Sequence, residues 1–303
     1  MKESNEEYQL NGIRYILQES QQVQVAGCEE LTGDVVIPKE VEGHPVTGMA
    51  PYAFSAGKIS SLRLPKSMEK AGKYVFYRCF SLKKLCFSDA FMDIGAGAFT
   101  GCRLQELEID FYRGERSCLK FIADEIRYAL WVTMRYHRPD GRIDIAKVVF
   151  PEHYEEAVEN TPARIVETHY HGVGGYYRQS FYNKELNYKE YDSLFPLALA
   201  QEEEDILIDI AAYRLQFPYQ LKQAAEEAYR DYLMKHMEKA GQQYVVREDM
   251  SMLRFFGQEK LWNEEAMDQA IEKASEEKKL EALSLLMDEK RRLFPKKRKI
   301  FDL

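Results

Sequence analysis

A short phrase ending in Phe returns three times in the first third of the chain: Tyr52-Ala53-Phe54, Tyr74-Val75-Phe76 and Gly97-Ala98-Phe99. The intervals, about 22 and 23 residues, are those of a solenoid coil. A single coil cannot bury its apolar side and is stable only when stacked on neighbours. The repeat therefore prescribes an architecture and leaves the chemistry open.

Aligned on Phe, the segments 46–54, 68–76 and 91–99 superpose without a gap. Each Phe is followed by an apolar residue (Ile59, Leu82, Leu104) and then by alternating residues: Leu62-Arg63-Leu64, Leu85-Cys86-Phe87, Leu107-Glu108-Ile109. Period two is the strand signature and turns Leu62 and Leu64 inward and Arg63 outward. Extended to neighbouring positions, the same parity sends Asp34, Val36, Arg63, Lys84, Cys86, Glu106 and Glu108 away from the core, as one candidate partner-binding face. Val35-Val36-Ile37-Pro38 opens the array, and Pro38 and Pro65 sit just past strands, where a missing amide breaks no ladder. Tyr8 to Leu17 and Gln21 to Ala26 read as two alternating strands that cap the open end of the stack.

The run from Leu31 to Pro38, Leu-Thr-Gly-Asp-Val-Val-Ile-Pro, followed by coils containing Tyr-Ala-Phe and Leu-Arg-Leu-Pro, resembles the BspA-type leucine-rich repeats over roughly residues 8 to 110. The resemblance implies a stack with a parallel sheet on one face, used for binding proteins and often found on bacterial surfaces. The start of the chain, Met1 to Glu7, departs from surface members in lacking the basic and apolar regions of a secretory signal. A cytoplasmic setting is the expectation.

After Ile109 the period fails. Leu119, Ile122, Ile126, Leu130 and Met134 recur at three or four residues, which predicts a helix over Cys118 to Tyr136. Ile143 to Pro151 reads as a strand closing a last, irregular coil. Glu152 to Val158 suits a short helix, Arg164 to His171 a strand, and the aromatic run Tyr176 to Tyr191 a compact hairpin and loop. Helices then run from about Leu197 to Leu215 and from about Tyr219 to Lys239, with Pro218 in the first turn of the second. The segments 267–274 and 280–286 resemble the helix pair of an ankyrin-like repeat, with Met250 to Phe256 as the second helix and Ala224 to Met237 as the first helix of an earlier copy. The fold class expected is α+β: a short leucine-rich solenoid (1–112), a segment holding the insertion, last coil and aromatic hairpin (113–195), and a helical domain of hairpins (196–303).

A formal charge of −8 disfavours nucleic acid and anionic membranes as partners of the whole protein. Five cysteines without C-x-x-C spacing indicate neither a disulfide framework nor a zinc ribbon. Cys79 and Cys102 stand at the same place in successive coils, either as a disulfide or metal pair or as small residues stacked in a buried ladder. His169 and His171 share one strand face, the geometry of two metal ligands, with no third ligand nearby in sequence. Gly172-Val173-Gly174-Gly175 serves a phosphate only if a helix starts directly behind it, and the aromatic residues that follow favour a strand or loop. The aromatics beside Arg178 and Lys184 fit base stacking or packing, and the basic run Lys290 to Lys299 a solvated tail or an acidic contact. No G-x-S-x-G, H-E-x-x-H or Walker loop occurs. The expected function is a non-enzymatic scaffold that binds a protein or peptide and needs no cofactor. The alternatives are a hydrolase-like, metal-dependent enzyme built around His153, His169 and His171, and a self-assembling structural protein.

Overall fold

The computed structural model describes residues 6–160 and 165–295, with side chains described outside 155–171. Two compact units divide between Glu202 and Glu203, and residues 113–195 lie within the first.

The first unit begins with β1 (Glu7–Leu10), β2 (Ile13–Leu17), β3 (Val23–Cys28), β4 (Thr32–Val36), β5 (Glu40–Val41) and β6 (His44–Met49). It continues through β7 (Lys58–Arg63), β8 (Lys70–Ala71), β9 (Lys84–Ser88), β10 (Asp93–Ile94) and β11 (Glu106–Phe111). Two sheets result. One runs β1-β2-β3-β6-β8-β10; the other, the broad face of the solenoid, takes β4, β7, β9 and β11 in parallel. The cap has one more strand than its sequence suggests. Asn11-Gly12, at φ 51° and 75°, folds Tyr8 to Leu17 into an antiparallel hairpin, because consecutive positive φ values make the turn that matches strand twist.

The repeated phrase now has a physical explanation at each position. Its first residue, Tyr52, Tyr74 or Gly97, has φ of 61°, 54° or 71°. Its Phe is buried in a ladder: Phe54 and Phe76 rings lie 5.8 Å apart, and Phe76 and Phe99 5.3 Å. Three residues on, the Cys79 thiol donates to the Phe54 carbonyl at 2.8 Å, and the Cys102 thiol to the Phe76 carbonyl at 2.9 Å. These two cysteines are free and buried, each satisfying a carbonyl of the preceding coil. Backbone bonds follow the same step: the N–H groups of Phe54 and Ala56 donate to Val75 and Tyr77, and those of Phe76 and Arg78 to Ala98 and Thr100.

Beyond β11 the structure corrects the long helix. α1 (Leu119–Glu125) ends early, and β12 (Leu130–His137) joins β11 in parallel as a further strand of the broad sheet. A step of four residues, as between Ile126, Leu130 and Met134, suits both helix and strand periods. The alternation of buried Leu130, Val132, Met134 and Tyr136 with outward Trp131, Thr133, Arg135 and His137 decides for the strand. β13 (Ile143–Phe150) pairs with β12 antiparallel, so it closes the sheet and is not another coil. The broad sheet thus reads β13-β12-β11-β9-β7-β4.

The segment expected to be a helix at Glu152 to Val158 is instead β14 (Tyr154–Asn160), paired antiparallel with β15 (Ile165–His171). The aromatic run is more helical than expected: α2 (Gly174–Gln179), the hairpin β16 (Phe181–Tyr182) and β17 (Glu185–Leu186), then α3 (Tyr188–Ser193) and α4 (Phe195–Gln201). Its aromatics pack as anchors. Tyr177, Tyr188 and Tyr191 are buried, and the Tyr191 hydroxyl donates to the Val149 carbonyl at 2.7 Å and accepts from the Val149 N–H at 3.0 Å on the outer edge of β13. Arg178 is likewise structural: its buried guanidinium donates to the carbonyls of Ala123, Ile126, Tyr128, Pro151 and Gly174.

The second unit comprises α5 (Glu204–Gln216), α6 (Gln223–Lys235), α7 (Met237–Val246), α8 (Met250–Gln258), α9 (Glu264–Glu276) and α10 (Leu280–Leu293). The helix expected from Leu197 to Leu215 is broken at Glu202-Glu203, and the one from Tyr219 to Lys239 starts only at Gln223, beyond Pro218, and breaks at His236. Consequently α7, not the segment 224–237, precedes α8 as the first helix of the earlier hairpin. The two hairpins share a chain reversal: Glu248 and Lys278 have φ of 53° and 58°, and the next N–H, of Asp249 or Lys279, donates back to Tyr244 or Ala274. Asp209 of α5 is fully buried and accepts from Arg247 at 2.6 Å, Gln243 at 2.7 Å and Tyr244 at 2.9 Å, tying α7 to α5.

Candidate functional site: the outer face of the broad sheet

The broad sheet aligns its outward side chains in cross-strand rows, since strands of a parallel sheet in register place every second residue on the same face. Glu106 and Glu108 of β11 lie beside Lys84 and Cys86 of β9 on one side, and beside Trp131 and Thr133 of β12 on the other. Glu108 is the hub. Its carboxylate lies 2.5 Å from Lys84 Nζ, 3.0 Å from Arg135 Nη2 and 3.6 Å from Arg63 Nη2, and Lys84 Nζ is also 3.5 Å from Glu106. Partial burial opposes ionisation of Glu108. The hydrogen bonds and charges of Lys84 and Arg135 outweigh it and hold the carboxyl down at about 2. The same contacts raise the Lys84 pKa against its own desolvation.

Of the residues expected on this face, Arg63, Lys84, Glu106 and Glu108 meet in one network. Asp34 stands apart, accepting from Ser61 at 2.7 Å and Ser60 at 3.4 Å. Cys86 requires correction. It points outward, but only 3% of its surface is exposed, and burial raises its thiol pKa. It floors the network and is not a contact residue.

Val36, 67% exposed, lies at the end of β4 on the rim of a groove of about 700 Å³. Arg63, Pro65, Lys66, Phe87 and Tyr112 line it further. Lys66 Nζ sits 3.9 Å from the centre of the Tyr112 ring, and His137 stacks on that ring at 4.2 Å while its Nε2 lies 2.8 Å from Asp110. Asp89 holds Tyr112 in place by accepting its N–H at 2.9 Å and that of Arg113 at 2.5 Å. The face therefore offers two textures: a paired, ordered ion network and, adjoining it through Arg63, a groove with apolar walls.

Sequence reasoning missed Arg135, Lys66 and Tyr112. Arg135 was legible in the alternation of Thr133, Arg135 and His137, which the helical reading of that stretch concealed. Lys66 and Tyr112 follow strand ends, where period two no longer applies.

The side chains of His169 and His171 lie outside the described residues, as do Lys296 to Lys299. His153 is buried with Nδ1 unpartnered, and burial together with the charges of Arg178 and Arg127 lowers its pKa to about 4. Among the described residues no group of three or more His, Cys, Asp or Glu could hold a metal ion. Gly172 does take a positive φ, 81°, as a turn requires, while a helix, α2, begins at Gly174. No helix among the described residues is long and apolar enough to cross a membrane.

A short stack of about 22-residue coils, with a parallel sheet on one side, buried Phe rungs and an antiparallel cap, defines a leucine-rich repeat solenoid. Residues 26–115 match the BspA type leucine-rich repeat region in six copies, and this part of the chain is a repeat region of that type. Among solved structures, a leucine-rich cell surface protein from Faecalibacterium prausnitzii is 22% identical over 37% of this chain and 34% of its own, with a TM-score of 0.29. A leucine-rich repeat protein from Bacteroides capillosus is 24% identical over 34% of this chain and 81% of its own, with a TM-score of 0.31. The chain thus spans about a third of the length of the Faecalibacterium protein. No curated protein matches.

Proposed function

We propose that this protein is a non-enzymatic interaction scaffold whose partner, a protein or peptide, docks on the outer face of the broad sheet. The observation carrying this reading is the pairing of an ordered ion network around Glu108 with the groove beside Val36 and Arg63. An ion network already held in place costs little side-chain entropy on binding, and charge pattern of this kind selects partners more than it raises affinity. The groove takes an apolar anchor, the element that usually carries binding energy. Five unpaired thiols support a reducing, cytoplasmic setting. The helical hairpins of the second unit, ankyrin-like in their repeated reversals, supply a further repeat surface.

The experiment is partner capture from host lysate with the full chain and with Val36→Asp/Arg63→Glu, both exposed positions. The variant should lose the partner while keeping its far-ultraviolet spectrum. Equal recovery by both proteins would remove the sheet face as the binding site.

A further inference from the structure

Two successive coils of the solenoid each donate three N–H groups to the next. Tyr52, Phe54 and Ala56 bond to the carbonyls of Lys73, Val75 and Tyr77; Tyr74, Phe76 and Arg78 bond to those of Ala96, Ala98 and Thr100. The corresponding groups of the last coil are Gly97, Phe99 and Gly101, and no further coil follows to accept them. Glu125, the last residue of α1, replaces two of the missing carbonyls: its Oε1 accepts from Gly97 at 2.8 Å and its Oε2 from Phe99 at 2.9 Å. The third donor, the exposed Gly101 N–H, has no acceptor among the described residues.

Gly101 lines a groove of about 800 Å³ between the last coil and the chain beyond α1. Its walls carry Phe80, 61% exposed, and Tyr128, 45% exposed. Lys83, Arg103 and Arg127 line it as cations, against the single carboxylate of Glu125, which is already engaged. Lys83 and Arg103 have no carboxylate partner among the described residues. A concentration of positive charge on a chain of net charge −8, beside an open backbone donor and two exposed aromatic rings, is complementary to one kind of ligand.

We propose that this groove, separate from the sheet face and independent of its role, binds an extended acidic peptide segment of another protein. One backbone or carboxylate oxygen of the peptide accepts from the Gly101 N–H and continues the ladder that the stack leaves unfinished. Its carboxylates pair with Lys83 and Arg103, and an apolar side chain lies between Phe80 and Tyr128. A peptide fits better than a nucleic acid, because the acidic chain repels a polyanion at long range while a few carboxylates suffice for two cations.

The test uses the full chain and a fluorescein-labelled decapeptide of alternating Asp and Leu, with its Asn-for-Asp counterpart and oligothymidylate as controls. Anisotropy should show the acidic peptide binding at least tenfold more tightly than the Asn peptide, with affinity falling as salt is raised. Lys83→Glu/Arg103→Glu should lose at least tenfold while melting as the wild type does. Nitrogen-15 spectra report the backbone directly, and the Gly101 amide should move downfield on titration, with Gly33, remote in the sequence and open, as the unmoved reference. Equal binding of acidic and Asn peptides, an unmoved Gly101 amide, undiminished binding by the double variant, or tighter binding of oligothymidylate would each overturn the proposal. So would concentration-dependent dimerisation abolished by Arg103→Glu, which would assign the groove to a second copy of the chain.

Discussion

Removing the Glu125 carboxylate should unlatch the last coil of the solenoid while leaving earlier coils intact. Glu125 accepts two backbone N–H bonds, at 2.8 Å and 2.9 Å. A hydrogen bond to a charged group contributes about 1.5–3 kcal/mol, so two set an upper limit of about 6 kcal/mol. The site is half-buried, and water replaces part of what is lost, which leaves about 2–3 kcal/mol for Glu125→Ala. Glu125→Gln keeps one acceptor but turns its NH2 toward the other donor, and should lose about 1–2 kcal/mol. Native-state hydrogen exchange is the appropriate assay, because a chain of two compact units need not unfold in a single step. At about 1.4 kcal/mol per tenfold, the Phe99 amide should exchange roughly 30 to 150 times faster in Glu125→Ala. The Phe54 amide, bonded to the Val75 carbonyl one coil before the last, serves as the internal standard. Phe99 protection that stays within threefold of wild type, or that falls equally at Phe54, would refute the capping argument.

Other perturbations give equally definite expectations. The Glu108 carboxyl titrates at about 2 in the fold against 4.5 ordinarily, so its stabilisation is complete above 4.5 and is lost as pH falls toward 2. The full linkage is about 3 kcal/mol, and solvent screening of a partly exposed network leaves about 1–2 kcal/mol. Urea midpoints at pH 6 and pH 3 should therefore differ less in Glu108→Gln than in the wild type, and parallel pH dependence would count against the hub. Gly97→Ala sets a Cβ 2.4 Å from the Tyr74 ring at φ +71° and should destabilise by about 1–3 kcal/mol, with Tyr74→Ala relieving the steric part in a double-mutant cycle. Titration with an aromatic disulfide should modify Cys28 alone in the native protein, slowly because burial raises its pKa to about 11, and all five thiols only after unfolding. Rapid native reaction at Cys79 or Cys102 would contradict the thiol–carbonyl ladder.

How far the fold could be read from sequence followed the period. Phe54, Phe76 and Phe99 repeat because they are stacked rungs, and each repeat reinforces the others. The outward row at Arg63, Lys84 and Glu108 was legible for the same reason, since strand parity fixes the face of every second residue. Leu130 and Met134 misled because four residues fit both an α-turn and two strand steps, so only the side chains between them carried the distinction. Cys86 shows the limit of parity: it gives direction but not cover, and the cover comes from Lys84 on its own strand and from Arg63, Glu108 and Arg135 on three others. Glu125 was invisible, because a carboxylate standing in for a peptide carbonyl has no neighbour in sequence to announce it. The break at Glu202-Glu203 carries no Pro or Gly to mark it, and the continuous amphipathic pattern ran across it.

The antiparallel return of β13 fixes where such a protein can change its length. An added coil needs a parallel strand to lie against, and β13 offers the reverse direction, while the β1–β2–β3 hairpins close the other sheet at its start. Duplication of a repeat unit can be accommodated only between these two closures, with the new Phe falling between existing rungs. Each inserted unit would widen the sheet between Arg63 and Arg135 by one strand spacing, about 4.8 Å. The width of the outer sheet face is thus quantised, and the ends that stabilise it are indifferent to how many steps lie within.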